Sequence, residues 1–465
     1  MEGFGMDPRT KLLLEGPVVP VLLRLALPNV AVMLAQASIG LIETYFVAKL
    51  GSDALAGIAL VFPLFMLLQM VSAGAMGGGI LSAIARALGA GNYARANEAV
   101  WSATFITLGF GALITAAALI WGPKLYAVMG GRDGSLTAAS VYSSVIFAGA
   151  IPLWLFNSFA AVIRATGNMR FPAAVIIIGA AILIPVSPVL IFGWGPFPRL
   201  GIAGGAAAVL IYYTIGCAIF AAYIWTGRTV LKPSWLPPKL SWAPASDIMK
   251  VGGASSIVSI STNLSIAVAT GIAGLAGPAA VAGYGTGARL EYLLVPLIFG
   301  LGAPMAAMTG TSVGAGRIDR ALKVAWTGAA VAAGLSEVIG LLAAFFPSAW
   351  LSLFGNDPEM IEAGSRYLRI VGPFYGFFGG GLALYFASQG AGRVKVPLAV
   401  AVLRVAIAAG GGWAAFRAYG GSDGLFAALA AGLVAYGAGN ALNIAQMANA
   451  RPPRMPAAVQ SVLQG

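Results

Sequence analysis

The feature that most constrains this chain is that it repeats itself. Leu88-Gly89-Ala90-Gly91-Asn92-Tyr93-Ala94-Arg95-Ala96 returns as Val313-Gly314-Ala315-Gly316-Arg317-Ile318-Asp319-Arg320-Ala321, about 225 residues later. Gly51-Ser52-Asp53-Ala54-Leu55-Ala56-Gly57 returns as Gly277-Pro278-Ala279-Ala280-Val281-Ala282-Gly283. Gly167-Asn168-Met169-Arg170-Phe171-Pro172 returns more loosely as Gly390-Ala391-Gly392-Arg393-Val394-Lys395-Val396-Pro397. The echoes keep one order and nearly one offset, so the chain folds as two copies of one unit.

Composition sets the medium in which those copies fold. Hydrophobic residues make up 59% of the 465 positions and charged residues only 9%, where a soluble chain carries about a quarter. So much apolar surface has to face lipid. The 63 glycines fit, because small residues let helices approach closely where water no longer drives packing. Read at about 20 apolar residues per crossing, the chain offers twelve spans, near 21–48, 54–86, 95–121, 137–163, 172–193, 201–226, 248–274, 280–312, 320–346, 362–388, 397–418 and 424–448. The fold expected is an all-α integral membrane protein of twelve transmembrane helices, in two six-helix repeats related by a pseudo-twofold along the membrane normal. The expected division is an N-terminal lobe (1–226), a linker with four prolines (227–247) and a C-terminal lobe with a short tail (248–465). Basic residues gather on one side of the spans: Arg9, Lys11 and Arg24; Arg86 and Arg95; Arg164 and Arg170; Arg228, Lys232, Lys239 and Lys250; Arg317, Arg320 and Lys323; Arg393 and Lys395; Arg451 and Arg454. The other side holds Lys49, Lys124, Arg132, Arg199, Arg366, Arg369 and Arg417. The bias predicts cytoplasmic termini in a multi-pass protein of the plasma (inner) membrane. No cleavable leader pattern follows Met1–Gly16, so the first span is expected to stay.

Several chemistries are excluded. With no histidine, there are no imidazole metal sites, general bases or proton relays. A single cysteine, Cys217, permits no intramolecular disulfide. Gly77-Gly78-Gly79 lies in an apolar span with no following Lys-Ser or Lys-Thr, so it is no phosphate loop. The net charge of +12 is spread as topology requires rather than as a nucleic-acid surface. Neither an enzyme nor a nucleic-acid-binding protein is expected.

Charges inside spans are costly and therefore candidates for function. Glu43 shares a helix face with Gln36, two turns earlier; the alternative is a helix-end carboxylate reaching headgroups. Glu337 sits inside span nine, where it either forms a second site or bonds a neighbouring helix. Arg289 and Glu291 lie in span eight, two apart and so not facing each other, and each needs a partner elsewhere. Arg404 is shallow enough to snorkel. Pro28, on the helix of Glu43, is the candidate hinge.

Two duplicated membrane halves with buried carboxylates are the usual plan of a secondary transporter. The ordered motifs are similar to the multidrug and toxic compound extrusion family of cation-coupled antiporters. They are Leu25-Ala26-Leu27-Pro28, Ile42-Glu43-Thr44-Tyr45-Phe46-Val47-Ala48-Lys49-Leu50-Gly51, Arg86-Ala87-Leu88-Gly89-Ala90-Gly91, Ile163-Arg164-Ala165-Thr166-Gly167-Asn168 and Pro188-Val189-Leu190-Ile191-Phe192-Gly193. The resemblance implies that Glu43 takes the family's acidic coupling position, with Gln36 and Asn157 at polar positions of the same cavity. The chain departs from the family where an Asn and an Asp of span five become Leu183 and Ser187, and a Thr of span six becomes Val209. Acidic residues of spans seven and ten are also missing, Asn263 and serines standing at that depth of span seven. A sodium site wants several oxygens, whereas a proton needs one carboxylate, and fewer polar neighbours favour its neutral form. The expectation is therefore an antiporter exporting amphipathic organic cations for H+, ahead of Na+, by alternating access. No cofactor is expected, and the protein should be a monomer in the bilayer. The alternative in the same superfamily is a lipid-linked oligosaccharide or polysaccharide flippase, whose anionic cargo would want a cavity rich in Arg and Lys.

Overall fold

The computed structural model describes residues 7–238 and 241–449, so Lys239, Arg451 and Arg454 lie outside the described residues. A short helix α1 (Pro8–Glu15) precedes α2 (Val18–Ala48), α3 (Ser52–Gln69) and α4 (Gly77–Gly89), the last two joined by a π-helical stretch, Met70–Met76. Then come α5 (Tyr93–Val128), α6 (Asp133–Ala148), α7 (Ala150–Ala165), α8 (Arg170–Phe192) and α9 (Ile202–Trp225). The second copy has α10 (Trp242–Leu275), α11 (Pro278–Gly314), α12 (Ile318–Phe345), the short α13 (Pro347–Leu351), α14 (Pro358–Val371), α15 (Tyr375–Gly390), α16 (Lys395–Ala406), α17 (Gly412–Tyr419) and α18 (Asp423–Ala448). Among the described residues eleven helical stretches are long and apolar enough to cross a bilayer, and the pair α6–α7, bent by 47°, completes twelve. The helix α10 starts at Trp242, earlier than the span read from 248, because Pro244 is tolerated in a first turn whose N–H groups are unpaired anyway.

The echoes in sequence are echoes in backbone. Gly51 and Gly277 (φ 117° and 108°), Gly91 and Gly316 (68° and 72°), and Gly167 and Gly392 (80° and 73°) pair off in the left-handed region, where a side chain is strained. The breaks pair off too. Span four bends at Gly149, and span ten breaks through a 3₁₀ turn, Gly372–Phe374. Pro28 sits within α2, which continues through it as one helix.

The repeats meet mainly through α4 and the π-helical stretch against α10 and α11, and through α2 against α11. Two glycines fix the crossing of α4 and α11. A Cβ on Gly89 would fall on the Thr311 carbonyl, and one on Gly314 would fall on the Arg86 carbonyl, each the repeat counterpart of the other. Nearby, Arg86 reaches Asp247 of α10 at 3.1 Å, and the Ser82 hydroxyl donates to the Gly390 carbonyl at 2.9 Å. These contacts all lie at the end of the bundle that carries the basic clusters. The helix α3 packs on α6 and makes no substantial contact with the C-terminal repeat among the described residues. Among the described residues the contacts between the repeats thus gather toward the basic end and are sparser along α3.

Helix α1 straps the basic end. Leu13 packs over Gly167 of the N-terminal repeat. From the C-terminal repeat, Arg320 donates to the carbonyls of Leu13 and Gly16 at 2.8 and 2.7 Å, and Arg317 donates to that of Leu14 at 3.2 Å. The carbonyls left unpaired at the end of a helix thus find cationic donors.

Candidate functional site

Glu43 lies one turn from the end of α2, where the bundle brings α6, α8 and α9 around it. Its Oε1 accepts a hydrogen bond from the Tyr142 hydroxyl at 2.8 Å. Gly205 of α9 leaves the approach clear, since a Cβ there would stand 3.4 Å from that oxygen. The carboxylate faces a small cavity walled by Ile39, Ile42, Leu183, Ile184, Ser187 and Val209. The free space within it is about one water's worth. Leu183, Ser187 and Val209, the positions at which the chain departs from the family it resembles, thus line this wall together. Ser187 is buried and its hydroxyl has no hydrogen-bond partner. Glu43 has one phenol and at most this hydroxyl as polar company in the cavity.

Asn157 does not touch Glu43. Its amide donates to Gln69 Oε1 at 3.0 Å and to Ser72 Oγ at 3.1 Å, and Gln69 in turn donates to the Tyr213 hydroxyl. This chain of polar groups runs from the π-helical stretch at the junction of the repeats to the Tyr213 phenol of α9. Gln36 is half-buried two turns from Glu43, and its side chain makes no hydrogen bond among the described residues. Sequence reasoning misses Tyr142, Tyr213, Gln69 and Ser72. A glutamine between Leu68 and Met70 in an apolar span is the signal that could have found the chain. Tyr142→Phe removes the one donor to Glu43. A hydrogen bond to a charged group is worth about 1.5–3 kcal/mol, so the exchange expected of Glu43 from the family resemblance should slow on the order of ten-fold or more without loss of fold. Transport in vesicles at wild-type speed by Tyr142→Phe would remove this bond from the working site.

In the C-terminal repeat the candidates scatter. Glu291 has a complete set of partners: Tyr367 donates to its Oε1 at 2.7 Å, and Arg404 stands 3.6 Å from its Oε2. Tyr367 and Tyr375 are in turn linked hydroxyl to hydroxyl at 3.3 Å. Arg404 does not snorkel. It is only 8% exposed, with its guanidinium over the rings of Phe378 and Tyr436 at 5.1 and 5.6 Å. Arg289 is exposed and stacks on Phe354 at 5.1 Å, so it is not the buried mid-span cation its sequence position suggests. Glu337 accepts the backbone N–H of Gly376 at 2.7 Å, which caps α15 where span ten is broken. Asn263 is exposed and reaches the Met70 sulfur across the two repeats at 3.5 Å. Glu337, Arg289, Glu291 and Asn263, the candidates for a second site, do not form one site.

A family model, MatE, matches residues 28–189 and 254–413, once in each repeat. The chain belongs to the MatE family. This MatE chain is 27% identical over 376 residues to a protein named FAD transporter from Shewanella oneidensis, covering 81% of this chain and 82% of that one. It is 25% identical over 386 residues to a probable multidrug resistance protein NorM from Thermotoga maritima, covering 83% and 82%. Among solved structures, a MOP-superfamily transporter from Pyrococcus furiosus superposes with a TM-score of 0.85 at 22% identity, over 96% of this chain and 99% of that one. That likeness carries the twelve-helix fold. The MatE chain is thus a multi-pass membrane protein of a transporter family.

Proposed function

We propose that this MatE protein exports amphipathic organic cations in exchange for protons, with Glu43 as the proton carrier. The observation that carries the reading is the poverty of the cavity at Glu43: one phenol donor, one serine hydroxyl and otherwise apolar walls. A sodium ion stripped of water wants about six oxygens, as hard cations do in general, and this wall does not offer them. A proton needs only the carboxylate. Among the described residues no cluster of three or more acidic or thiol ligands occurs.

With the basic face in the cytoplasm, repeats joined chiefly at that face suit an outward-facing state of the proposed cycle. A proton taken up from outside neutralises Glu43 and weakens the hold on a cationic drug, which leaves. The repeats then close outside and open at the basic face, Glu43 gives up its proton, and a new cation binds. Coupling requires that proton and drug be bound unequally in the two states. Multidrug names among the relatives support this substrate class.

One observation favours a second reading. The relative named FAD transporter points to an anionic flavin nucleotide, and Arg289 is an exposed cation beside an aromatic ring. Proteoliposomes separate the two. A fluorescent organic cation and FAD are each followed under an imposed pH gradient, then under a sodium gradient, with wild type and Glu43→Gln. Dye efflux driven by the pH gradient and lost in folded Glu43→Gln is the expected result. Movement of FAD alone sinks the cation reading, and drive by sodium at constant pH sinks the proton.

A further inference from the structure

We propose that the cavity where the linker folds onto α5 is a headgroup site for an anionic phospholipid of the leaflet at the basic face. The cavity holds about 720 Å³ and lies between the first turns of α5 and the linker. Its walls are built rather than draped. The backbone N–H of Lys232 donates to Asn97 Oδ1 at 2.9 Å, and the Trp101 indole donates to the Ser234 carbonyl at 3.0 Å. The one carboxylate of the lining, Glu98, is occupied by the N–H of Ser241 at 2.8 Å.

The cation left without a counter-charge is Lys232. The ammonium of Lys232 makes no ion pair among the described residues, and Arg95 is half exposed, 3.8 Å from Asp247. Asn97 and Ser234 add short polar groups that suit glycerol hydroxyls. Beside the mouth, Trp235, Leu236 and Trp242 are 73%, 80% and 79% exposed. Exposed tryptophans next to an unpaired cation at the ends of membrane spans are the arrangement by which proteins meet headgroups and acyl chains together. A soluble phosphate would use the cations but has no use for this apolar rim.

The test is the thermal midpoint of the full-length protein in a zwitterionic detergent, with phosphatidylglycerol, phosphatidylcholine or free glycerol phosphate added. Wild type is compared with Lys232→Glu, with the milder Lys232→Gln, and with Lys323→Glu, which removes the same charge from an exposed position on the C-terminal repeat. Phosphatidylglycerol should raise the wild-type midpoint by several degrees more than phosphatidylcholine. Both Lys232 variants should lose that excess, and Lys323→Glu should keep it. The proposal fails if the two lipids act alike or if the Lys232 variants keep the excess. It fails equally if Lys323→Glu loses as much, which would mean bulk charge, or if glycerol phosphate alone reproduces the effect, which would mean a free anion. If Lys232→Glu does not fold, Lys232→Gln decides.

Discussion

Gly89→Leu should abolish transport in a protein that still folds and inserts. At Gly89 the backbone of α4 lies against the Thr311 carbonyl of α11 with no space for even a Cβ. Helices usually cross at about 8–10 Å, and glycine is what permits a closer crossing in lipid. A leucine there cannot be absorbed by a side-chain shift, because the obstacle is backbone. The repeats would have to part at the basic end, and the state closed on that face would be lost from the cycle. Each repeat keeps its own helix packing, so the protein should remain assembled. Gly314→Leu, against the Arg86 carbonyl, should do the same by symmetry. Efflux gives the functional half of the test. Distances between spin labels at Arg170 and Lys323, one on each repeat at the basic end, give the structural half: they should lengthen. Wild-type efflux with unchanged distances would show that the crossing is not a gate.

Arg404→Leu should be the most destabilising single change in the C-terminal repeat. It leaves Glu291 inside the bundle, with only the Tyr367 hydroxyl for company. Removing one member of a buried ion pair typically costs about 3–5 kcal/mol, whereas replacing both by apolar groups is often neutral. The double variant Glu291→Leu/Arg404→Leu should therefore recover most of the loss, although Tyr367 then lacks its acceptor. Glu43→Gln, by contrast, removes no counter-ion and should melt near wild type. Equal melting of Arg404→Leu and wild type would mean that water or lipid reaches Glu291.

Much of the architecture could be read from the sequence because it rests on local rules. The three recurring motifs are legible because left-handed glycines leave no choice of residue, and the spans because lipid demands apolar length. Glu43, Leu183, Ser187 and Val209 come from three helices, and likeness to a family lined them up before the structure drew them together. What stayed hidden depends on rotation about a helix axis. Sequence places Arg404 two turns inside its span but cannot say that it turns inward to Glu291. Nor does it distinguish Asn157, which bonds Gln69, from a residue of the Glu43 cavity. For Glu337 the sequence offers a second site or a bond to a neighbouring helix; the bond is there, to a backbone N–H at the break in span ten, and only the bend shows which one.

Tyr142 and Tyr367 stand at the same offset as Gly167 and Gly392, so they are one position of the ancestral unit, seen twice. The acid that each holds is not the same: Glu43 comes from α2, the first crossing of its repeat, and Glu291 from α11, the second crossing of its own. The phenol stands in both copies, and the carboxylate it holds comes from a different helix in each. In the second copy the acid also acquired a permanent cation, so it contributes no net charge. One descendant has kept a lone ionisable group, while the other has become electrically silent. A change of protonation in the first half would therefore alter its charge, while the second half holds a pair already balanced.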